Sequence, residues 1–261
     1  MPRAFTRAVS LKLAECELTH LDRAPIDPRA ANLQHSAYED ALTDAGYEVV
    51  RLAALPDHPD AVFVEDTALL LDGHAIILRP GVASRANETE STATGLAAYF
   101  DVHPLGSGSL DGGDVLRIRR TLYVGRSTRT NAEGLGSLRE AAAPLGYEVV
   151  EAELRGCLHL KSGATFAGPD AHGVPVLLYS ERAVDPRQFA GVEAVAVADG
   201  EEAAANCLRV GSRLILPAGN PRTAGALRDR GFQVTEVDVS ELQKAEAGVT
   251  CMSLIDERPN G

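Results

Sequence analysis

Apolar and polar positions along this chain repeat one short phrase. Residues 38–42 lead into Gly46-Tyr47-Glu48-Val49-Val50, residues 138–141 into Gly146-Tyr147-Glu148-Val149-Val150, and residues 226–228 into Gly231-Phe232-Gln233-Val234. In each copy a helix-spaced stretch stops at a glycine, the residue that best tolerates a left-handed cap, and a short alternating strand follows. The glycines at 46, 146 and 231 leave room for one further unit in each gap, at a period of roughly 45 residues. Residues 96–102 and 192–197 supply the strands of those units. Between units lie paired apolar runs separated by turn residues: 68–71 with 75–78, 115–118 with 122–124, 163–166 with 176–179, and 208–210 with 214–216. They read as hairpins. The first unit is expected to begin with 8–13, with 250–255 supplying its missing strand from the far end of the chain. Five hairpin-helix-strand units then close a ring, an α/β propeller formed by one domain over 1–261. An open α/β sheet is the competing arrangement, because its elements also alternate. In a ring, loops at one end converge on the axis, where polar residues far apart in sequence meet.

The 261 residues carry a formal charge of −12, which opposes a nucleic-acid backbone or an anionic membrane as partner and suits a small cationic ligand. No apolar run approaches the roughly 18 residues of a membrane helix, and residues 1–7 lead into no signal-peptide core, so the expected compartment is the cytoplasm. Four scattered cysteines, Cys16, Cys157, Cys207 and Cys251, suit a reducing environment and leave a reactive thiol open. Tryptophan is absent and aromatics make up 5%, poor material for stacking nucleic-acid bases. Residues 106–113 are glycine-rich, but the spacing misses the dinucleotide and phosphate-loop patterns. Gly-x-Ser-x-Gly, His-Glu-x-x-His and Cys-x-x-Cys are all absent, and Cys157-Leu158-His159 offers too few ligands for a closed metal site. No metal or cofactor is expected.

Four stretches carry candidate chemistry. Val62-Phe63-Val64 ends in Glu65-Asp66 before an apolar run resumes at Thr67, and two carboxylates there are costly to bury unless a cation meets them. A planar guanidinium matches carboxylates best, although a solvated strand end or an internal arginine explains the pair equally well. Leu110-Asp111-Gly112-Gly113-Asp114-Val115 brackets two glycines with acids that could orient an imidazole; a turn with solvated aspartates is the simpler reading. His159 lies between leucines just before a strand, the setting of many core histidines and also of a general acid/base. Cys251 sits in the last strand-like stretch. With a distant His and two acidic clusters available it is a candidate nucleophile, whereas the other three cysteines read as inert.

With these phrases, Ser127-Thr128-Arg129-Thr130-Asn131, Ala205-Asn206-Cys207, Gln34-His35 and Tyr38 in the family's order over nearly the whole chain, the sequence resembles dimethylarginine dimethylaminohydrolase. That family belongs to the guanidine-modifying superfamily of fivefold α/β propellers. The resemblance implies hydrolysis of Nω-methylated arginines to citrulline and a methylamine through a covalent thiouronium on Cys251. It makes His159 the general acid/base, Asp111 the carboxylate orienting it, and Glu65 and Asp66 the guanidinium binders. Arg85 and Arg129 would hold the α-carboxylate, with Leu18, Asp60 and Ala245 as further pocket positions, Leu18 and Ala245 through backbone groups. Leu18 would lie in a mobile lid before Asp27-Pro28. Arginine deiminase, the rival in the superfamily, typically follows its catalytic His with Leu-Asp; here the phrase is His159-Leu160-Lys161, which favours a methylated substrate. A non-catalytic propeller similar to ribosome anti-association factors is the rival from another class. The oligomeric state stays open, a homodimer included.

Overall fold

The computed structural model describes residues 1–258; the last three positions of the expected 1–261 domain lie outside the described residues. Five three-stranded sheets are present. The first has β1 (Arg3–Thr6) at its centre, flanked by β2 (Glu48–Arg51) and by β15 (Leu254–Asp256) from the far end of the chain. The second holds β3 (Ala68–Leu71), β4 (His74–Ile77) and β5 (Asp101–Pro104), and the third β6 (Val115–Ile118), β7 (Thr121–Gly125) and β8 (Glu148–Ala152). The fourth holds β9 (Ala164–Pro169), β10 (Pro175–Tyr179) and β11 (Glu193–Ala196), and the fifth β12 (Leu208–Val210), β13 (Arg213–Pro217) and β14 (Gln233–Val237). In every sheet the central strand runs antiparallel to one neighbour and parallel to the other.

A parallel pair needs a crossover, and four units use a helix for it. These are α1 (Pro28–Asp44), α2 (Glu88–Leu96), α3 (Ala132–Ala142) and, past a single turn α4 (Leu160–Gly163), α5 (Pro221–Asp229). The fourth unit crosses with only the short turn Pro186–Gln188. Local chemistry sets the boundaries: the Asp27 carboxylate accepts from the amides of Arg29 and Ala30 with Pro28 opening α1, and Asn131 Oδ1 caps α3 through Gly134 N. Gly46, Gly146 and Gly231 hold φ of 88°, 76° and 85° where the chain turns from helix into outer strand, as the repeated phrase implies.

The central strands explain why the ring closes. Their apolar residues face both ways, and alternate ones enter different cores. Ile76 packs between the second and third sheets while Ala75 and Ile77 pack toward the first. Leu122 and Tyr123 divide likewise, as do Leu177 and Leu178, Leu214 and Ile215, and Ala4 and Phe5. Five such clusters each join two adjacent units, including the last to the first, so this is the closed fivefold propeller and not the open sheet.

Two local expectations are corrected. Residues 8–13 form no strand; Arg3–Thr6 takes that slot, its register setting Arg3 beside Asp256 and Glu48, while Leu11 is exposed and Ser10 Oγ bonds the carbonyl of Pro56. The stretches through Glu65-Asp66 and Cys251 are helical turns, Val64–Thr67 and Thr250–Met252, and the strands begin after them. Arg7, unremarked in the sequence, is fully buried and donates to Ala61 O and Thr92 Oγ1, tying the first strand to α2.

Leu122, fully buried between the second and third sheets, tests the closure. Leu122→Ala should lower stability by about 3 kcal/mol, moving a urea midpoint by roughly 1 M; a change under about 0.5 kcal/mol would contradict a packed interface there.

Candidate active site

Each inner strand is preceded by one short turn, and the five turns meet at one end of the axis: Val64–Thr67, Gly112–Asp114, Leu160–Gly163, Glu202–Ala205 and Thr250–Met252. They carry, at or beside their ends, Glu65 and Asp66, Asp111 and Asp114, His159 and Lys161, Asn206, and Cys251. Pseudo-symmetry thus converts five distant stretches into one constellation. A cavity of about 20 Å³, room for about one water, is lined by Asp60, Asp66, Arg85, Arg129, His159, Ala245 and Cys251, together with Glu17, Phe63, Leu158, Glu246 and Ala247.

Asp111, fully buried, accepts from His159 Nε2 at 3.0 Å. Asp114 holds the turn beneath: its Oδ1 accepts from Leu160 N at 3.0 Å, and its Oδ2 from Ser127 Oγ and Thr130 Oγ1. Asn206 joins the imidazole's turn to the thiol's, donating to Lys161 O and Thr250 Oγ1 while its Oδ1 accepts from Thr250 N at 3.0 Å. The paired glycines permit close approach. A Cβ on Gly113 would lie 2.5 Å from His159 Nδ1, and one on Gly112 1.9 Å from Glu65 O.

Asp66 and Glu65 point to different partners. Asp66 accepts from Gly113 N at 2.9 Å and from Arg85 Nη1 at 2.6 Å, so the internal arginine weighed from sequence is present. Arg85 also donates through Nε and Nη2 to Glu88 and through Nη2 to Phe63 O, which leaves few of its donors for any ligand. Glu65 accepts from Lys161 Nζ at 2.6 Å and Thr250 Oγ1 at 2.8 Å. It faces a second cavity of about 600 Å³ bordered by all five inner strands. The Lys161–Glu65 pair therefore borders that channel, a pairing the sequence did not signal.

Burial disfavours every charge here, and neighbours decide which survive. Burial alone would lower His159, but Asp66, the bond to Asp111, and Asp114 hold it up at about 9. Burial would raise Asp66, yet His159 and Arg85 pull it down to about 2. Cys251 is pushed up to about 12 by burial and then by the carboxylates of Glu65 and Asp66, against the weak opposing contact from Gly248 N at 3.4 Å. Burial also lifts Asp60 to about 6 although Arg85 opposes it. At neutral pH these shifts favour an imidazolium, a carboxylate and a neutral thiol.

A loop closes the cavity. Arg129 Nη2 donates to Thr19 Oγ1 at 2.9 Å, and Glu17 N reaches the Asp60 carboxylate at 3.2 Å. Glu246, a non-glycine at φ 58°, accepts from the amides of Thr19, His20 and Leu21 at 2.9, 2.5 and 2.5 Å. Leu18 itself packs on the core beside α1, and Glu17 takes the cavity-lining place expected of it. Glu17 and Glu246 were missed because neither belongs to a local motif.

Five sheets around an axial cavity make the chain an α/β propeller of the pentein class. No family model matches it. It is 40% identical over 258 residues to N(G),N(G)-dimethylarginine dimethylaminohydrolase of Streptomyces coelicolor, covering 97% of this chain and 96% of that one. The enzyme of the same name from Pseudomonas aeruginosa is 35% identical over 224 residues, 85% of this chain and 86% of the relative. A structure of the Pseudomonas enzyme, a cysteine-to-serine mutant complexed with citrulline, superposes with a TM-score of 0.89 at 33% identity, covering 98% and 99% of the two chains. The chain belongs to the dimethylarginine dimethylaminohydrolase family. The N-terminal domain of ArgZ, an arginine dihydrolase, shares the fold with a TM-score of 0.82 at 19% identity, over 98% of each chain.

If the Glu246 carboxylate clasps the loop, Glu246→Ala should speed hydrogen exchange at the amides of 19–21 at least about tenfold while exchange in the sheets is unchanged. Equal protection in the two proteins would place the clasp elsewhere.

Proposed function

We propose that this protein hydrolyses Nω-methylated L-arginine to L-citrulline and a methylamine, with Cys251 as nucleophile and His159 as general acid/base. The observation that carries the reading is the shared cavity of Cys251, His159 and Asp66, with Asp111 bonded to the imidazole. Family membership, and the citrulline complex of the Pseudomonas relative, support it.

Asp66 is anionic and fixed by Gly113 and Arg85, so it can hold one edge of a planar guanidinium and set its face toward the sulfur. Glu65, engaged by Lys161 and Thr250, acts on the cation through its charge from behind. Arg129 is the main holder of the α-carboxylate, with Arg85 adding positive charge; Asp60, the Ala245 segment and the loop at Leu18 enclose the amino-acid end.

Since burial and the nearby carboxylates push the thiol up to about 12, an arriving cation supplies the charge that lowers it, and the thiol proton leaves to water. The Cys251 thiolate adds to the guanidinium carbon. As the bond to the methylated nitrogen breaks, that nitrogen takes the proton of His159, leaving a thiouronium on sulfur. Neutral His159 then removes a proton from water, the hydroxide adds to the same carbon, and the carbon–sulfur bond breaks with the electron pair going to sulfur; the added oxygen loses its remaining proton to water, giving neutral citrulline, the regenerated thiolate and a protonated His159. Asp111 keeps the imidazole oriented throughout.

An arginine deiminase carries an acid where this chain has Lys161, and Lys161 is consumed by Glu65, so the methylated guanidinium is the better fit. The five units are read as one catalytic domain. With four free cysteines and no helix among the described residues long and apolar enough to cross a membrane, the proposed compartment is the cytoplasm.

Incubation with arginine, monomethylarginine, dimethylarginine and agmatine, read by mass spectrometry, should give citrulline from the methylarginines and a covalent adduct at Cys251. Cys251→Ser should lose turnover by at least about 10⁴-fold while remaining folded. Faster ammonia release from arginine, or turnover surviving in Cys251→Ser, would refute the assignment.

Proton inventory gives a second test. His159 must be protonated to act as acid, so kcat should fall as pH rises through about 9. Because its folded value exceeds the unfolded one, near 6.5, the stability it contributes is complete below about pH 6.5 and disappears as pH climbs through about 9. In the free enzyme, alkylation of Cys251 by iodoacetamide should rise only toward pH 12. An alkylation midpoint near 7 would show a resting thiolate instead.

A further inference from the structure

Away from the axis, at the outer end of the second sheet, His74, Asp101 and His103 bring three donor atoms together. His74 Nδ1 lies 3.2 Å from His103 Nε2, and Asp101 Oδ2 lies 3.7 Å from the first and 3.6 Å from the second. The triangle is set by rigid backbone. His74 pairs with Asp101 in the parallel ladder of β4 and β5, and His103, two residues along β5, presents its side chain on the same face as Asp101. Asp101 and His103 are exposed and His74 is partly so, leaving the centre of the triangle open to water.

We propose that these three residues form a binding site for a zinc ion, distinct from the catalytic cavity. Two ligands on a tetrahedral zinc with bonds of about 2.0–2.1 Å stand about 3.3 Å apart, and the three separations here fall close to that edge. Two imidazole nitrogens and one carboxylate oxygen make a donor set suited to a borderline cation, whereas calcium and magnesium prefer more oxygen ligands. Without an ion, two ring nitrogens face each other and a carboxylate across a space that one proton can only partly satisfy. Bound zinc would link the central strand of the sheet to its outer edge strand and keep a fourth coordination position for water or a donor from another molecule. His74 stands 27 positions before Asp101 in sequence, so no spaced motif announces the site.

Zinc can also bind a thiol beside an imidazole, so the test is made in a Cys251→Ser background. Equilibrium dialysis against zinc chloride should give one bound ion per chain with micromolar affinity, and zinc should raise the thermal midpoint by about 5 °C. Adding His103→Ala should weaken binding at least about 100-fold and abolish the thermal shift, and His74→Gln should do the same. His103→Ala with Cys251 intact should turn over methylarginine normally in the presence of a chelator, which confirms its fold. Binding absent from the Cys251→Ser protein, or undiminished by either histidine substitution, would overturn the site.

Discussion

The pairing of Arg3–Thr6 with one strand of its own unit and one from the far end of the chain is the constraint on which the rest depends. β1 takes β2 on one side and β15 on the other, so the last strand completes the first sheet. Cys251 lies on the turn just before β15, and this pairing, with Asn206 and Glu65 holding Thr250, sets it at the axis. The register places Ala4 and Phe5 into two different cores, which ties closure of the ring to burial of apolar surface. Fold and chemistry therefore share one cause.

Once the five turns converge, charge compensation decides what each side chain can do. Six carboxylates, those of Asp60, Glu65, Asp66, Glu88, Asp111 and Asp114, are buried there, and Arg85, Lys161 and His159 answer them. A buried carboxylate without a partner would cost several kcal/mol, so these pairs are as much a condition of folding as of reactivity. The excess of acid has a direct result. It raises the proton affinity of both the imidazole and the thiol, so each group holds its proton more tightly than it would in water. The same charge chemistry anchors the loop at 19–21, whose backbone amides Glu246 accepts in place of water.

Much of this was legible in the sequence. The helix, glycine and strand phrase located three outer strands because a left-handed cap and a period-2 pattern are local properties that a sequence displays directly. Apolar runs marked the hairpins because the central strands are buried on both faces. Cys251, His159, Asp66 and Asp111 were identifiable as residue types whose chemistry is costly to bury, strengthened by family resemblance. Residues 8–13 misled because their apolar content resembles a strand, whereas the better-registered partner for β15 and β2 lay nearer the N-terminus.

What the sequence determined, then, was the repeated unit and the cast of reactive groups, because local conformation and intrinsic chemistry depend on neighbours along the chain. Tertiary structure decided the pairings. That Lys161 meets Glu65 and that Asn206 joins the turns of His159 and Cys251 brings together residues on different units, while Arg85 with Asp66 and Glu88, and Glu246 with 19–21, are set by the path of connecting segments around the ring. Such contacts depend on the register of closure of the whole ring, and long-range electrostatics in a buried site cannot be read until that closure fixes which charges share it.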